Sequence, residues 1–99
     1  MIRHLVLWRL KADDAAGKAD AVQAIAGALE PLVGVIDELI SLKISPNVAY
    51  LDSNWDVALV ADFASVGDLE TYQVHPAHEA AGAVVRQHTA QRATVDFEV

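Results

Sequence analysis

No cysteine occurs among the 99 residues. That excludes disulfides, thiolate nucleophiles and any zinc site built on sulfur. Basic side chains are scarce too: seven Lys and Arg stand against 14 Asp and Glu, for a formal charge of −7. The basic residues (Arg3, Arg9, Lys11, Lys18, Lys43, Arg86, Arg92) are scattered along the chain, so no patch for a phosphate backbone is visible. Neither nucleic acid nor an anionic membrane is an expected partner. Long apolar runs are also missing, and nothing approaches the roughly 20 residues needed to cross a bilayer. The opening MIRHLVLWRL alternates in polarity and has no small-residue cleavage site, so no signal peptide is expected and a cytoplasmic protein is.

What is abundant is small apolar residues. Hydrophobic side chains make up 54% of the chain, much of it Ala and Val. The length is that of one domain, near the lower end for a self-sufficient core. Such a composition predicts more apolar surface than one small globule can hide, for which self-association is the usual remedy.

Periodicity lays out the elements. Ile2 to Leu10 alternates, with Ile2, His4, Val6, Trp8 and Leu10 on one face and Arg3, Leu5, Leu7 and Arg9 on the other, which predicts a strand. Asp13-Asp14 supplies an N-cap for a helix from about Asp14 to Val33, with Val22, Ile25, Leu29 and Leu32 on its apolar stripe and Gly34 as its stop. Pro31 should bend or loosen the last turn. Further strands are predicted over Asp37 to Ile44, Trp55 to Phe63 and Thr94 to Val99. Ser65 and Asp68 have the spacing that opens a short helix ending near Val74, and Pro76 suits the first position of another.

The order β-α-β-β-α-β, its second helical segment broken at His75-Pro76, predicts an α+β, ferredoxin-like fold: a four-stranded antiparallel sheet with the helices on one face. The uncovered face is expected to carry His4, Val6 and Trp8. At about 25 cal/mol per Å² of apolar surface, hiding that face against a second copy is favourable, so a homodimer with the two sheets paired is expected.

The opening MIRHLVLWRLK, the strand WDVALVADFAS, the segment Tyr72-x-x-His75-Pro76-x-His78 and the closing VDFEV together resemble the stress-responsive α/β-barrel domain, a branch of the dimeric α/β-barrel superfamily. The resemblance spans essentially the whole chain. It implies a dimer whose sheets form a barrel, with an apolar cavity in each subunit between sheet and helices. Most members of the family have no assigned reaction. One related plant enzyme is a polyketide cyclase that closes a poly-β-keto chain by an aldol step, and its functional positions correspond to Tyr72, His78 and His4. A haem-handling relative in the wider superfamily would instead use His78 or His4 as a ligand.

The chemistry of these residue types is consistent with such a site. An imidazole held on a cavity wall, His78, could take a proton from carbon acidified by neighbouring carbonyls. Tyr72 could orient that ring or donate its hydroxyl to a developing enolate, and His4 could hold the substrate or the other imidazole. Val6, Trp8 and His75 are candidate substrate contacts. The opposing reading is structural: His78 bonded to backbone, His75 capping the helix that Pro76 begins, and Trp8 and Trp55 filling core or dimer seam. Trp8 beside His4 would also shrink the space and favour a small ligand. Asp96 either fixes a histidine tautomer or faces solvent; His88 and Asp62 read as surface residues. His75, His78 and Glu79 lack the spacing of a metal motif, so no metal and no cofactor is expected. Two functions follow: a dimeric protein of unassigned activity with a small apolar ligand pocket near Tyr72 and His78, or a cofactor-independent acid–base enzyme, a cyclase or isomerase, acting on a small keto or phenolic compound.

Overall fold

The alternating opening segment forms strand β1, Ile2–Leu10, the centre of the sheet in a computed structural model that describes residues 1–99. Asp14 accepts a hydrogen bond from the Gly17 amide and starts helix α1, Ala15–Leu29. Pro31 has the effect expected of it: the last turn tightens into a 3-10 turn over Glu30–Leu32 rather than continuing the α-helix. Gly34 follows with φ of 89°, a conformation that costs a side chain-bearing residue dearly.

Strands β2 (Ser41–Pro46) and β3 (Val57–Phe63) precede helix α2 (Val66–Val74). The Ser65 hydroxyl accepts from the Asp68 amide, as the capping spacing predicts. Helix α3, Pro76–His88, begins at its proline, and strand β4 runs from Thr89 to Glu98. The strands are antiparallel in the order β2-β3-β1-β4, the ferredoxin-like arrangement.

Two strand starts differ most from the sequence-based expectation; β3 also begins two residues later, at Val57, and β2 runs on to Pro46. β2 starts at Ser41 rather than Asp37, because Ile36 and Leu39 turn inward as core plugs through a turn closed by Leu39 N–H donating to the Ile36 carbonyl. β4 starts five residues earlier than expected, directly after α3. Between Arg9 and Leu10 its register with β1 shifts: Arg9 faces Gln91 but Leu10 faces Thr89, which leaves Ala90 as the extra residue of a bulge.

The expected assignment of the two sheet faces is overturned. His4, Val6 and Trp8 are 3%, 1% and 5% exposed and lie under the helices, not on the open face. Directly paired residues share a face, so the covered rows are His4-Val6-Trp8 with Ala61-Leu59-Val57, beside Phe63. Both rows of β1 have apolar centres, and the charged residues and partner rows decide. The Val57-Leu59-Ala61-Phe63 row is uninterrupted, whereas the opposite row carries Arg3 and Asp62, which form a two-point ion pair at 2.9 and 3.1 Å. That pair tolerates water far better than the core does. Asp62 is thereby more than a surface residue: it is nearly buried, and the hydrogen bond from Arg3 holds its carboxyl below the usual range.

The open face retains an apolar centre. Leu5, Leu7, Val60, Val95 and Phe97 share it, and Leu7, Val95 and Phe97 are exposed. The core proper joins Val6, Trp8, Leu59 and Phe63 of the sheet to Ile25 and Leu29 of α1, Leu69 and Tyr72 of α2, and Ala81 and Val85 of α3.

Candidate functional site

The helices cover β2, β3 and β1 but leave the helix-side row of β4 in solvent, with Arg92, Thr94 and Asp96 all exposed. Where α3 and β4 diverge from the core a cavity of about 340 Å³ opens. That is near the lower limit for sites that hold small molecules, about 300–1,000 Å³. Five of the six residues singled out from sequence line it: His4, Val6, Trp8, Tyr72 and His78. The sixth, His75, does not. Its Nδ1 accepts the Ala77 amide at 3.0 Å and caps α3, because Pro76 at the first helical position leaves that ring next to the free amides of the first turn.

Each ring of the cluster is positioned by local structure. The chain breaks between α2 and α3 with His75 extended, and Tyr72 in the last turn of α2 and His78 in the first turn of α3 meet with ring centroids 4.4 Å apart. Phe63 supports the other side of Tyr72 at 5.0 Å and meets His4 edge-on at 6.4 Å. His4 lies directly opposite Asp96 in the β1–β4 ladder, close enough for its Nδ1 to donate to Oδ1 of Asp96 at 2.5 Å. Asp96 thus sits at a strand edge and fixes a histidine tautomer, leaving His4 Nε2 without a partner in the chain.

His78 Nδ1 lies 3.1 Å from the Gln73 carbonyl. A carbonyl only accepts, so Nδ1 carries the proton and Nε2 keeps its lone pair. Burial lowers the His78 pKa from its ordinary value; the Gln73 bond opposes that, and the nearby His4 and Arg92 reinforce it. The ring is therefore neutral at pH 7 and able to accept a proton. Tyr72 is the complement. It is 1% exposed, and burial pushes its hydroxyl up to about 12 against the smaller opposing pull of Arg92. It stays protonated and acts as a donor. Its hydroxyl makes no hydrogen bond within the chain, yet no side-chain nitrogen or oxygen is sealed away without a partner, so the hydroxyl opens to the cavity.

Trp8 forms part of the wall beside Val6 and Leu59 and limits the cavity's depth. Trp55 stays outside, with the Arg9 guanidinium 5.2 Å above its ring. Sequence reasoning missed Arg86 and Arg92 at the cavity. Neither belongs to a motif, and only the α3–β4 junction brings them there. No group of three or more His, Asp or Glu side chains is placed to hold a metal ion, and no helix is long and apolar enough to cross a membrane.

Fold and site together define a ferredoxin-like domain with a ligand-sized cavity between its helices and sheet. The chain belongs to the Stress responsive A/B Barrel Domain (Dabb) family, which it matches over residues 2–99. It is 34% identical to an uncharacterized protein of Streptomyces coelicolor over 89 residues, 88% of this chain and 89% of that one. A crystal structure from Thermobifida fusca shares 32% identity over 99% of this chain and 90% of the other, with a TM-score of 0.82. One from Bacteroides fragilis shares 28% over 99% and 95%, with a TM-score of 0.87. Both are described as dimeric ferredoxin-like proteins of unknown function.

Proposed function

We propose that this protein is a homodimeric Dabb-domain protein that binds a small, largely apolar ligand beside Tyr72 and His78. The observation that carries the proposal is the convergence of three polar rings, His4, Tyr72 and His78, on one cavity with an apolar floor of Val6, Trp8, Leu29 and Leu59, each with a ring or hydroxyl atom left unpartnered. Polar atoms open to a cavity and unpartnered in the chain offer directed hydrogen bonds to what enters it. The apolar centre of the open sheet face, with Leu7, Val95 and Phe97 exposed, supports pairing of two sheets into a barrel, as does the dimeric description of the two related structures. The protein is cytoplasmic in this reading and acts without a cofactor, nucleic acid or membrane as partner.

A second reading, a cofactor-independent acid–base enzyme of the cyclase or isomerase type, is favoured by the opposite protonation of Tyr72 and His78. His78 Nε2 would take a proton from carbon next to a carbonyl while the Tyr72 hydroxyl donates to the developing enolate oxygen. The His78 imidazolium would then give that proton back to the product, with His4, held by Asp96, positioning the substrate.

A thermal-shift screen of small aromatic and β-keto compounds, run on the wild type beside His78→Ala at one protein concentration, tests the pocket. A ligand at ten times its Kd stabilises by about 1.4 kcal/mol, a rise on the order of 5–10 °C for a domain of this size. The proposal expects such rises in the wild type and their loss in a folded His78→Ala. Hits that survive the substitution would place the ligand elsewhere.

A further inference from the structure

The cavity has a charge opposite to that of the protein. Acidic residues outnumber basic ones two to one along the chain, 14 against 7. Around the cavity the balance inverts: Arg86 and Arg92 line it, and no Asp or Glu does. The other two arginines are engaged, Arg3 with Asp62 and Arg9 over Trp55. Arg86 and Arg92 have no carboxylate within ion-pairing distance. Asp96, on the same strand face as Arg92, is committed to His4. Glu79 borders an adjoining cleft that shares His78, Gly82 and Arg86 with the cavity, but does not itself line the cavity.

The backbone accommodates this arrangement. Gly82 sits in the interior of α3, where glycine costs about 0.5–1 kcal/mol relative to alanine. A Cβ there would lie 3.2 Å from Nη1 of Arg86, so the guanidinium lies back against Gly82, itself a wall residue. On the other side the β4 bulge brings Thr89, Ala90 and Gln91 to the rim just ahead of Arg92. The charge of Arg92 reaches the reactive rings: it opposes the rise of the Tyr72 pKa and adds to the fall of the His78 pKa.

We infer that the ligand is a small organic carboxylate, its apolar body against Val6, Trp8 and Tyr72 and its carboxylate held at the mouth by Arg86 and Arg92. The inference rests on the ligand-pocket reading and adds the charge of what enters. Arginine's planar fork fits a carboxylate or a phosphate, but phosphate sites commonly add the amides of a helix N-terminus or a glycine-rich loop. The mouth has neither; the C-terminal half of α3 and the strand bulge form it.

Isothermal titration of 3-phenylpropanoate and its uncharged counterpart 3-phenylpropanamide tests this on the wild type, the Arg86→Gln/Arg92→Gln double variant and His78→Ala. Both arginines are exposed, so the double variant is expected to fold, which far-UV circular dichroism checks. In the wild type at low salt the acid should bind at least about ten-fold tighter than the amide, since charge-assisted hydrogen bonds are roughly twice as strong as neutral ones. That preference should shrink as salt rises and approach parity in the double variant. Equal affinities for acid and amide in the wild type, both weakened by His78→Ala, would overturn the carboxylate inference and leave the pocket standing. Failure of both probes to bind at millimolar concentration, together with an empty thermal-shift screen, would overturn both.

Discussion

The Tyr72 hydroxyl offers the sharpest separation of a ligand site from a structural cluster. The ring is almost completely buried and packs on Phe63 and His78 at centroid distances of 5.0 and 4.4 Å, while its hydroxyl bonds to nothing in the chain. Tyr72→Phe therefore removes no intramolecular hydrogen bond and relieves a partly desolvated polar group. The expected change in stability lies between zero and a gain of about 1 kcal/mol. Tyr72→Ala also deletes the ring and leaves a void among Phe63, His78 and α3, at a cost of about 3–5 kcal/mol. That is a large part of the roughly 5–15 kcal/mol that holds a domain folded. Urea denaturation of the three proteins at one fixed concentration measures this, the fixed concentration being needed because a dimer's midpoint depends on it. Ligand binding should fall in both variants although only one is destabilised. A loss above about 1 kcal/mol in Tyr72→Phe would mean that the hydroxyl has a structural partner, and the argument that it serves a ligand would fail.

Two further predictions follow from the sheet and from His78. Leu7→Asp on the open face should give a folded monomer by sedimentation, because an unpaired carboxylate cannot be buried between two sheets; an unchanged dimer would place the interface elsewhere. Trp8 or Val57 are unsuitable for that test, since both belong to the monomer's core. Acidification should destabilise the protein in two windows. The folded pKa of His78 lies below the unfolded 6.5, so the unfolded chain binds the extra proton and stability drops as pH falls below about 6.5. Asp62 and Asp56 are held below their usual value of 3.8, so their contribution is present above that value and lost as pH falls through the folded ones. Urea midpoints at pH 7.5 and 5.5 should show a smaller pH dependence in His78→Asn than in the wild type; identical slopes would refute the assignment to His78.

Much of this architecture is legible in the sequence because local signals agree with the fold. Asp14, Ser65 and Pro76 each sit where a helix begins. The sheet's sidedness is not legible in β1 alone, since Leu5 and Leu7 are as apolar as Val6 and Trp8; the arrangement depends on Arg3 meeting Asp62, 59 residues away. The alternation of Ile40, Leu42 and Ile44 draws the strand back toward Asp37 and hides the inward turn of Ile36 and Leu39. The start of β4, Thr89 to Arg92, lacks apolar alternation, so the sequence predicts the strand only from Thr94. With it went the position of Arg92 and the pairing of Asp96 with His4, which follow only from the ladder. The rings of the site were found because Tyr72, His75 and His78 form a motif, and the same motif made His75 look like a contact when Pro76 had already assigned it to the cap.

The bulge at Ala90 has an evolutionary corollary. Strand β4 has two different faces: Arg92 and Asp96 on the helix side, Val95 and Phe97 on the open side. Strand parity ties them together, because a shift of one residue exchanges the faces. A single-codon insertion or deletion between His88 and Arg92 would either be absorbed by the bulge or turn arginine and aspartate into the apolar seam and phenylalanine into the cavity. Under the proposed function, ligand chemistry and self-association are thus inherited together. Descendants of this chain can vary the side chains of β4 freely only while they preserve its count.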